Sequence, residues 1–232
     1  MAERDSKHSG GSGFFSRLIS LFLLACLGGL GFALYCVSQP QDLSDLQRKP
    51  GDSAVPSGRE LKVVLRNAVD RGYPVTLTEV EINEWLGRTL VARQEGLLRE
   101  KVRFERVWVR LEDDLAEVVM ERKLWGHPLT VSMYLEVERM EGPQGLTTEI
   151  RMHGKPFHED LPNLPRGGRF GQLVVPQGFL LLVMPAYQKL ADVFQDEISL
   201  AFSEMNRFKI EKNQLVLDPR EPLGNGSMQQ PF

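Results

Sequence analysis

His153, His158, Glu159 and Asp160 form the one cluster in this chain whose residue types could hold a metal ion, and they fall at a strand end and in the loop after it. A five-residue spacing between the two histidines does not stack them on one helix face, and no cysteine lies near them, so the ligand pattern of a zinc or other transition-metal site is missing. They read as solvated polar residues. Asp113-Asp114 could serve as a carboxylate pair for general acid–base work, but two aspartates between apolar stretches are also what a hairpin turn uses. No Gly-x-Ser-x-Gly elbow, phosphate-cradling glycine loop or metalloprotease helix occurs. The expectation is a protein that is not an enzyme, with no catalytic residue, no metal and no cofactor.

The partners must then be sought in the elements. Lys and Arg number 28 against 31 Asp and Glu, for a net charge of −3 with no basic block, which argues against a nucleic-acid partner, because phosphate binding needs clustered positive charge. Near the N-terminus, LISLFLLACLGGLGFALYCV runs from Leu18 to Val37 without one charge. Twenty helical residues cover about 30 Å, the thickness of bilayer hydrocarbon, so the segment predicts a single-pass transmembrane helix. Three alternatives compete: a buried core helix; a cleaved signal, for which the exit Ala33-Leu34-Tyr35-Cys36-Val37-Ser38 offers no good small-x-small site; and lipid attachment at Cys26 after a loose lipobox. Arg4, Lys7 and Arg17 precede the span, which favours a cytoplasmic residue 1–17 segment and a C-terminal domain outside. Ala25, Gly29 and Ala33 recur every four residues and would let a second helix approach closely, so the span could associate with itself or with other envelope proteins. Cys26 and Cys36, the only cysteines, both lie in the span.

Residues 38–58, with Pro40, Pro50 and Pro56 among Gln, Asp and Ser, read as a flexible linker. A domain over residues 59–218 follows, then a disordered tail, 219–232. Leu61, Val64, Leu65, Ala68 and Val69 repeat at helical spacing up to Gly72 and Pro74. Thr78 with Glu81 forms a capping box for a second helix carrying Val80, Ile82, Trp85, Leu86, Leu90 and Val91. Beyond residue 101 the period falls to two. Val102 and Phe104 lie in one phase and Val107, Val109 and Leu111 in the other, as in a bulged strand. Leu129, Val131, Met133, Leu135 and Val137 alternate with polar residues, and Leu146, Thr148, Ile150 and Met152 continue after a turn, predicting a four-stranded antiparallel meander. Lys155 to Gly168 reads as a long loop and FGQLVVP as a short strand. Phe208–Ile210 and Leu215–Leu217 form a closing hairpin.

The longest helical pattern runs from Gln177 to Asn206, with Pro185 either kinking it or starting a new helix. It predicts an α+β fold in which an antiparallel β-sheet packs on a long C-terminal amphipathic helix. That helix has two readings. It is the core of the sandwich, or sheet and helix leave a groove, lined by Phe179, Leu182, Val183, Ala186 and Leu190, that binds lipid through an acyl chain.

This order of parts, an anchor, a helix opened by LTEVEINEWL, a meander, FGQLVVP before apolar helix and FKIEKNQLVL at the end, resembles the YpmS-like group of bacterial membrane-anchored proteins and, more distantly, the TULIP-like lipid-binding domains. The likeness covers Val75 to Asp218 and rests on Asn83, Gly171, Pro176 and the closing hairpin; the loop from Lys155 to Gly168 and the helix before Val75 depart from it. It implies a non-enzymatic protein of the cell envelope, on the outer face of a bacterial cytoplasmic membrane, that binds lipid or acts as a scaffold in an envelope assembly.

Overall fold

The computed structural model describes residues 12–46, 59–94, 105–124, 126–142, 145–153 and 166–220. The first eleven residues, the second part of the expected linker (47–58), Val102 and Phe104, most of the expected loop (154–165) and the tail from 221 lie outside the described residues.

Helix α1, Ser12–Ser38, contains the stretch Phe14–Ser38, long and apolar enough to cross a membrane and exposed along most of its length, with Ala33, Cys36 and Val37 half-buried near its end. Helix α2, Leu61–Arg71, ends at Gly72, whose φ of 63° is the left-handed conformation glycine tolerates and whose N–H satisfies the carbonyls of Ala68 and Val69. Strand β1, Val75–Thr78, leads into helix α3, Glu79–Gln94. The capping box is formed: the Glu81 N–H donates to Thr78 Oγ1 at 3.2 Å, and the Thr78 N–H donates back to Glu81 Oε2 at 3.0 Å.

Strands β2 (Arg106–Glu112), β3 (Leu115–Leu124), β4 (His127–Gly142) and β5 (Gly145–Met152) form the antiparallel meander. Strand β4 is long enough to serve two partners on one side. Its far part pairs with β5, while Val131 to Met133 pair with β6 (Arg166–Phe170), which turns into β7 (Leu173–Pro176). A separate three-stranded sheet has β9 (Gln214–Asp218) between β1 and β8 (Arg207–Glu211). Asp113-Asp114 is a turn, with Asp114 at φ 61°, and it joins the two sheets: the Lys212 N–H donates to Asp113 Oδ1, and the Asn213 N–H to the carbonyl of Leu111.

The single long C-terminal helix is replaced by short pieces. A 3-10 segment, Gln177–Leu182, precedes helix α4, Met184–Val193, and helix α5, Gln195–Ser203. Pro185 sits in the first turn of α4, where its missing N–H is tolerated but a continuing helix behind it is not. The second break is at Phe194, whose ring is turned onto Trp85 with centroids 5.3 Å apart. The expected loop also ends earlier than its composition suggests, because Arg166–Phe170 is a strand. Gly168 is required there: a Cβ would lie 2.1 Å from the carbonyl oxygen of Ser132 on β4.

The expected linker is likewise built in at its start. Leu43 and Leu46 are buried against Trp108 and Val119, on the face of the sheet away from the helices. Gln41 is buried too, its N–H donating to Thr130 Oγ1 and its Nε2 to Ser132 Oγ. A polar segment has too few apolar residues for a core of its own, but two leucines at the right places suffice to dock it onto the sheet.

Candidate functional site

Period-two alternation gives the meander two faces with different chemistry. Val107, Val109 and Leu111 of β2, Ala116 and Val118 of β3, Met133, Leu135 and Val137 of β4, and Ile150 and Met152 of β5 all point to one side. Helices α2, α3, α4 and α5 and the inner side of the small sheet roof this face. Sheet and roof do not meet everywhere. Between them lies a cavity of about 500 Å³, bounded by Leu61 and Leu65 of α2, Ile82, Trp85 and Leu86 of α3, Tyr187 and Leu190 of α4, Ile198 and Phe202 of α5, and Leu77, Ile210, Leu215 and Leu217 of the small sheet. Ile150 and Ile198, from β5 and α5, line it and are 41% and 36% exposed, which marks where it reaches the surface.

Polar groups on this lining are few. Tyr187, Gln188 and Glu197 are the lining residues with hydrogen-bonding side chains besides Trp85. The Tyr187 hydroxyl is committed to the sheet, donating to the Val118 carbonyl at 2.9 Å and lying 3.1 Å from that of Val131. Burial, helped by the nearby Glu117 carboxylate, pushes its pKa well above the ordinary 10.0, so it is a neutral donor that pins α4 over β3 and β4. Trp85 differs. It is 4% exposed as a residue, and its Nε1 has no hydrogen-bond partner among the described residues.

Of the helix residues expected to line a groove, Leu190 borders the cavity. Ala186 is buried in the core and Val183 packs against it, but neither borders the cavity, while Phe179 and Leu182 of the 3-10 segment stand 52% and 77% exposed, away from it. Because Pro185 breaks the helix ahead of α4, the two residues before it do not share the face of those after it. Half of the lining comes instead from strands, whose alternation is legible but whose distance from the helices is not.

In α1, Ala25 and Gly29 are exposed, and nothing lies within 4 Å of where a Gly29 Cβ would be; Ala33 is half-buried. His153 pairs with Glu136 through Nδ1 at 2.9 Å, and His158, Glu159 and Asp160 lie outside the described residues. No group of three or more metal-capable side chains occurs among the described residues.

The opposite face of the sheet holds a cluster that alternation alone assigns to solvent. Glu117 is fully buried, accepting from Arg110 Nη1 at 2.5 Å and from Ser132 Oγ at 2.6 Å. Arg110 also holds Asp45 through two hydrogen bonds and the Asp42 carbonyl through another. Burial opposes the charge on Arg110, but the Asp45 and Glu117 carboxylates outweigh it and raise its pKa. This cluster straps residues 41–46 to the domain.

Comparison with protein-family models and with curated proteins finds no match for this chain.

Proposed function

We propose that this chain is a non-enzymatic, membrane-anchored protein that holds the acyl part of a lipid or similar amphiphile in the cavity between its sheet and its helices. In this reading α1 spans a bacterial cytoplasmic membrane and the domain stands on the outer side. The observation that carries the proposal is the cavity itself, about 500 Å³ and lined almost wholly by apolar side chains. Ligand sites run from about 300 to 1,000 Å³ and are mostly apolar with a few placed polar groups.

Energetics support an occupant. At roughly 24 cal/mol per Å³ of unfilled core, a dry cavity of 500 Å³ would cost on the order of 10 kcal/mol, as much as the whole net stability of an ordinary domain. The surface opening reduces that figure. Water is a poor tenant, since it needs two to four polar partners and the lining supplies few. An acyl chain restores the missing contacts. The tether supplies a source of such chains within reach, and the resemblance to membrane-anchored and lipid-binding domains agrees with it.

Photo-crosslinking of the purified full-length chain with a diazirine fatty acid, followed by peptide mapping, tests the proposal. Label on the β4 and α3 peptides that carry Leu135 and Trp85 is expected, with loss of that label when Ala116→Phe and Ala201→Phe together fill the cavity. Label confined to α1 in the unmodified protein overturns the reading.

A further inference from the structure

Outside α1, the large apolar side chains that stand more than half exposed among the described residues are Val63, Val174, Phe179, Leu181 and Leu182. Four of these five fall within nine consecutive residues, on β7 and the 3-10 segment after it. The backbone that presents them is fixed. Leu180, in their midst, is fully buried, and it packs at Gly168, where an added Cβ would meet its side chain at 2.9 Å. Contiguous exposed apolar surface on a well-packed segment marks a contact with something apolar.

Position says what that something is. The turn that opens β7 receives the end of α1: the Gln172 N–H donates to the Cys36 carbonyl at 3.0 Å. A side chain at Gly171 would lie within 2.4 to 2.7 Å of the carbonyl oxygens of Gln39, Val37 and Cys36. Strand β7 itself packs beside α1. The apolar stretch Phe14–Ser38 is 25 residues long, about 37 Å at helical rise against a hydrocarbon core of about 30 Å. Its last turns therefore reach headgroup depth, and whatever docks on Cys36 is held there.

We propose that β7 and the 3-10 segment form a second membrane contact, with Phe179, Leu181 and Leu182 entering the interface of the bilayer that α1 spans. This rests on α1 as a spanning helix. The contact adds a second membrane attachment to that through α1, whose end already docks on the turn at Gly171 and Gln172. The apolar side chains do what the exposed face of an interfacial helix does, at the cost of no core contact because none of them makes one.

Spin labels at Leu181→Cys, Leu182→Cys and, as a reference within α1, Leu27→Cys, each in a Cys26→Ser/Cys36→Ser background, test this in vesicles of phosphatidylethanolamine and phosphatidylglycerol. The labels at 181 and 182 are expected to collide with dissolved oxygen several-fold more than with a water-soluble nickel chelate, approaching the label at 27. Nickel access at 181 and 182 with an oxygen-rich label at 27 overturns the second contact alone. Shielding from both reagents with dipolar broadening also overturns it, in favour of a second copy of this chain. Nickel access at 27 overturns the spanning helix and the second contact together.

Discussion

The Asn83 side-chain amide pairs with the backbone of Val109 in both directions, Nδ2 donating to the carbonyl at 2.8 Å and Oδ1 accepting from the N–H at 2.7 Å. One turn earlier on the same helix, Glu79 Oε2 accepts from the Leu111 N–H at 2.7 Å. Strand β2 lies at the edge of its sheet, so these backbone groups have no neighbouring strand to pair with. Helix α3 supplies the partners from its side chains and is thereby fixed at the distance from the sheet that leaves the cavity open.

Asn83→Leu should therefore leave both Val109 groups unpaired under the helix. Each unsatisfied buried group costs about 1–3 kcal/mol, so a loss of roughly 3 kcal/mol is expected in urea unfolding followed by circular dichroism. An unchanged midpoint would mean that water replaces the amide and that α3 is not held this way.

Glu79 predicts a pH dependence. Burial raises its pKa above the ordinary 4.5, outweighing the Leu111 hydrogen bond that lowers it. A carboxyl with a raised folded pKa contributes stability that is fully present below the unfolded value and lost as pH rises through the folded one. The unmodified protein should thus lose stability relative to Glu79→Gln as pH rises from about 4.5 towards neutrality, the amide keeping an acceptor for Leu111 without titrating. A difference between the two proteins that stays flat with pH, or that runs the other way, refutes it.

Much of this frame is written locally in the chain. Thr78 and Glu81 announce α3 because a capping box satisfies its own donors, and Leu129 to Val137 announce β4 because apolar residues alternate along it, although Thr130, Ser132 and Tyr134 of the other phase are buried as well. Gly167 and Gly168 announce nothing, since a strand without side chains has no period to read, and the requirement for glycine comes from β4 and the 3-10 segment in three dimensions. Glu117 occupies the wet phase of β3 by alternation and is nonetheless fully buried, because residues 41–46 return to cover it. The cavity was legible only in part. Its lining phase is visible on each strand, but a gap between layers is set by Tyr187, Asn83 and the break at Pro185 acting together.

The strap gives a double-mutant prediction. Arg110→Met alone leaves the Glu117 carboxylate buried without its closest cation, which costs about 3–5 kcal/mol for a buried pair broken on one side. Arg110→Met with Glu117→Leu removes both charges and should recover most of that loss. In both variants Asp45 loses its partner, so cleavage within 41–46 by limited proteolysis should quicken even where global stability returns. Equal destabilisation of the single and double variants would show that the pair is not what holds this face.

Trp85 offers the sharpest separation between a filled core and a binding site. Its ring borders the cavity, and its Nε1 is buried with no hydrogen-bond partner among the described residues; such a donor costs stability unless an acceptor meets it. A carboxylate or ester oxygen at the polar end of an amphiphile would meet that need, while the alkyl part packs on Leu135 and Val137. Trp85→Phe keeps an aromatic ring against Phe194 and removes the donor. A charge-assisted hydrogen bond contributes about 1.5–3 kcal/mol, so affinity for a long-chain fatty acid should fall at least about 10-fold. Affinity for an alkane of equal length should change far less, because it never used the N–H. Isothermal titration of both ligands against both proteins distinguishes the cases. Parallel losses for acid and alkane would assign Trp85 to packing alone, and no binding of either by the unmodified protein would leave the indole N–H as a strained feature of a core without a ligand.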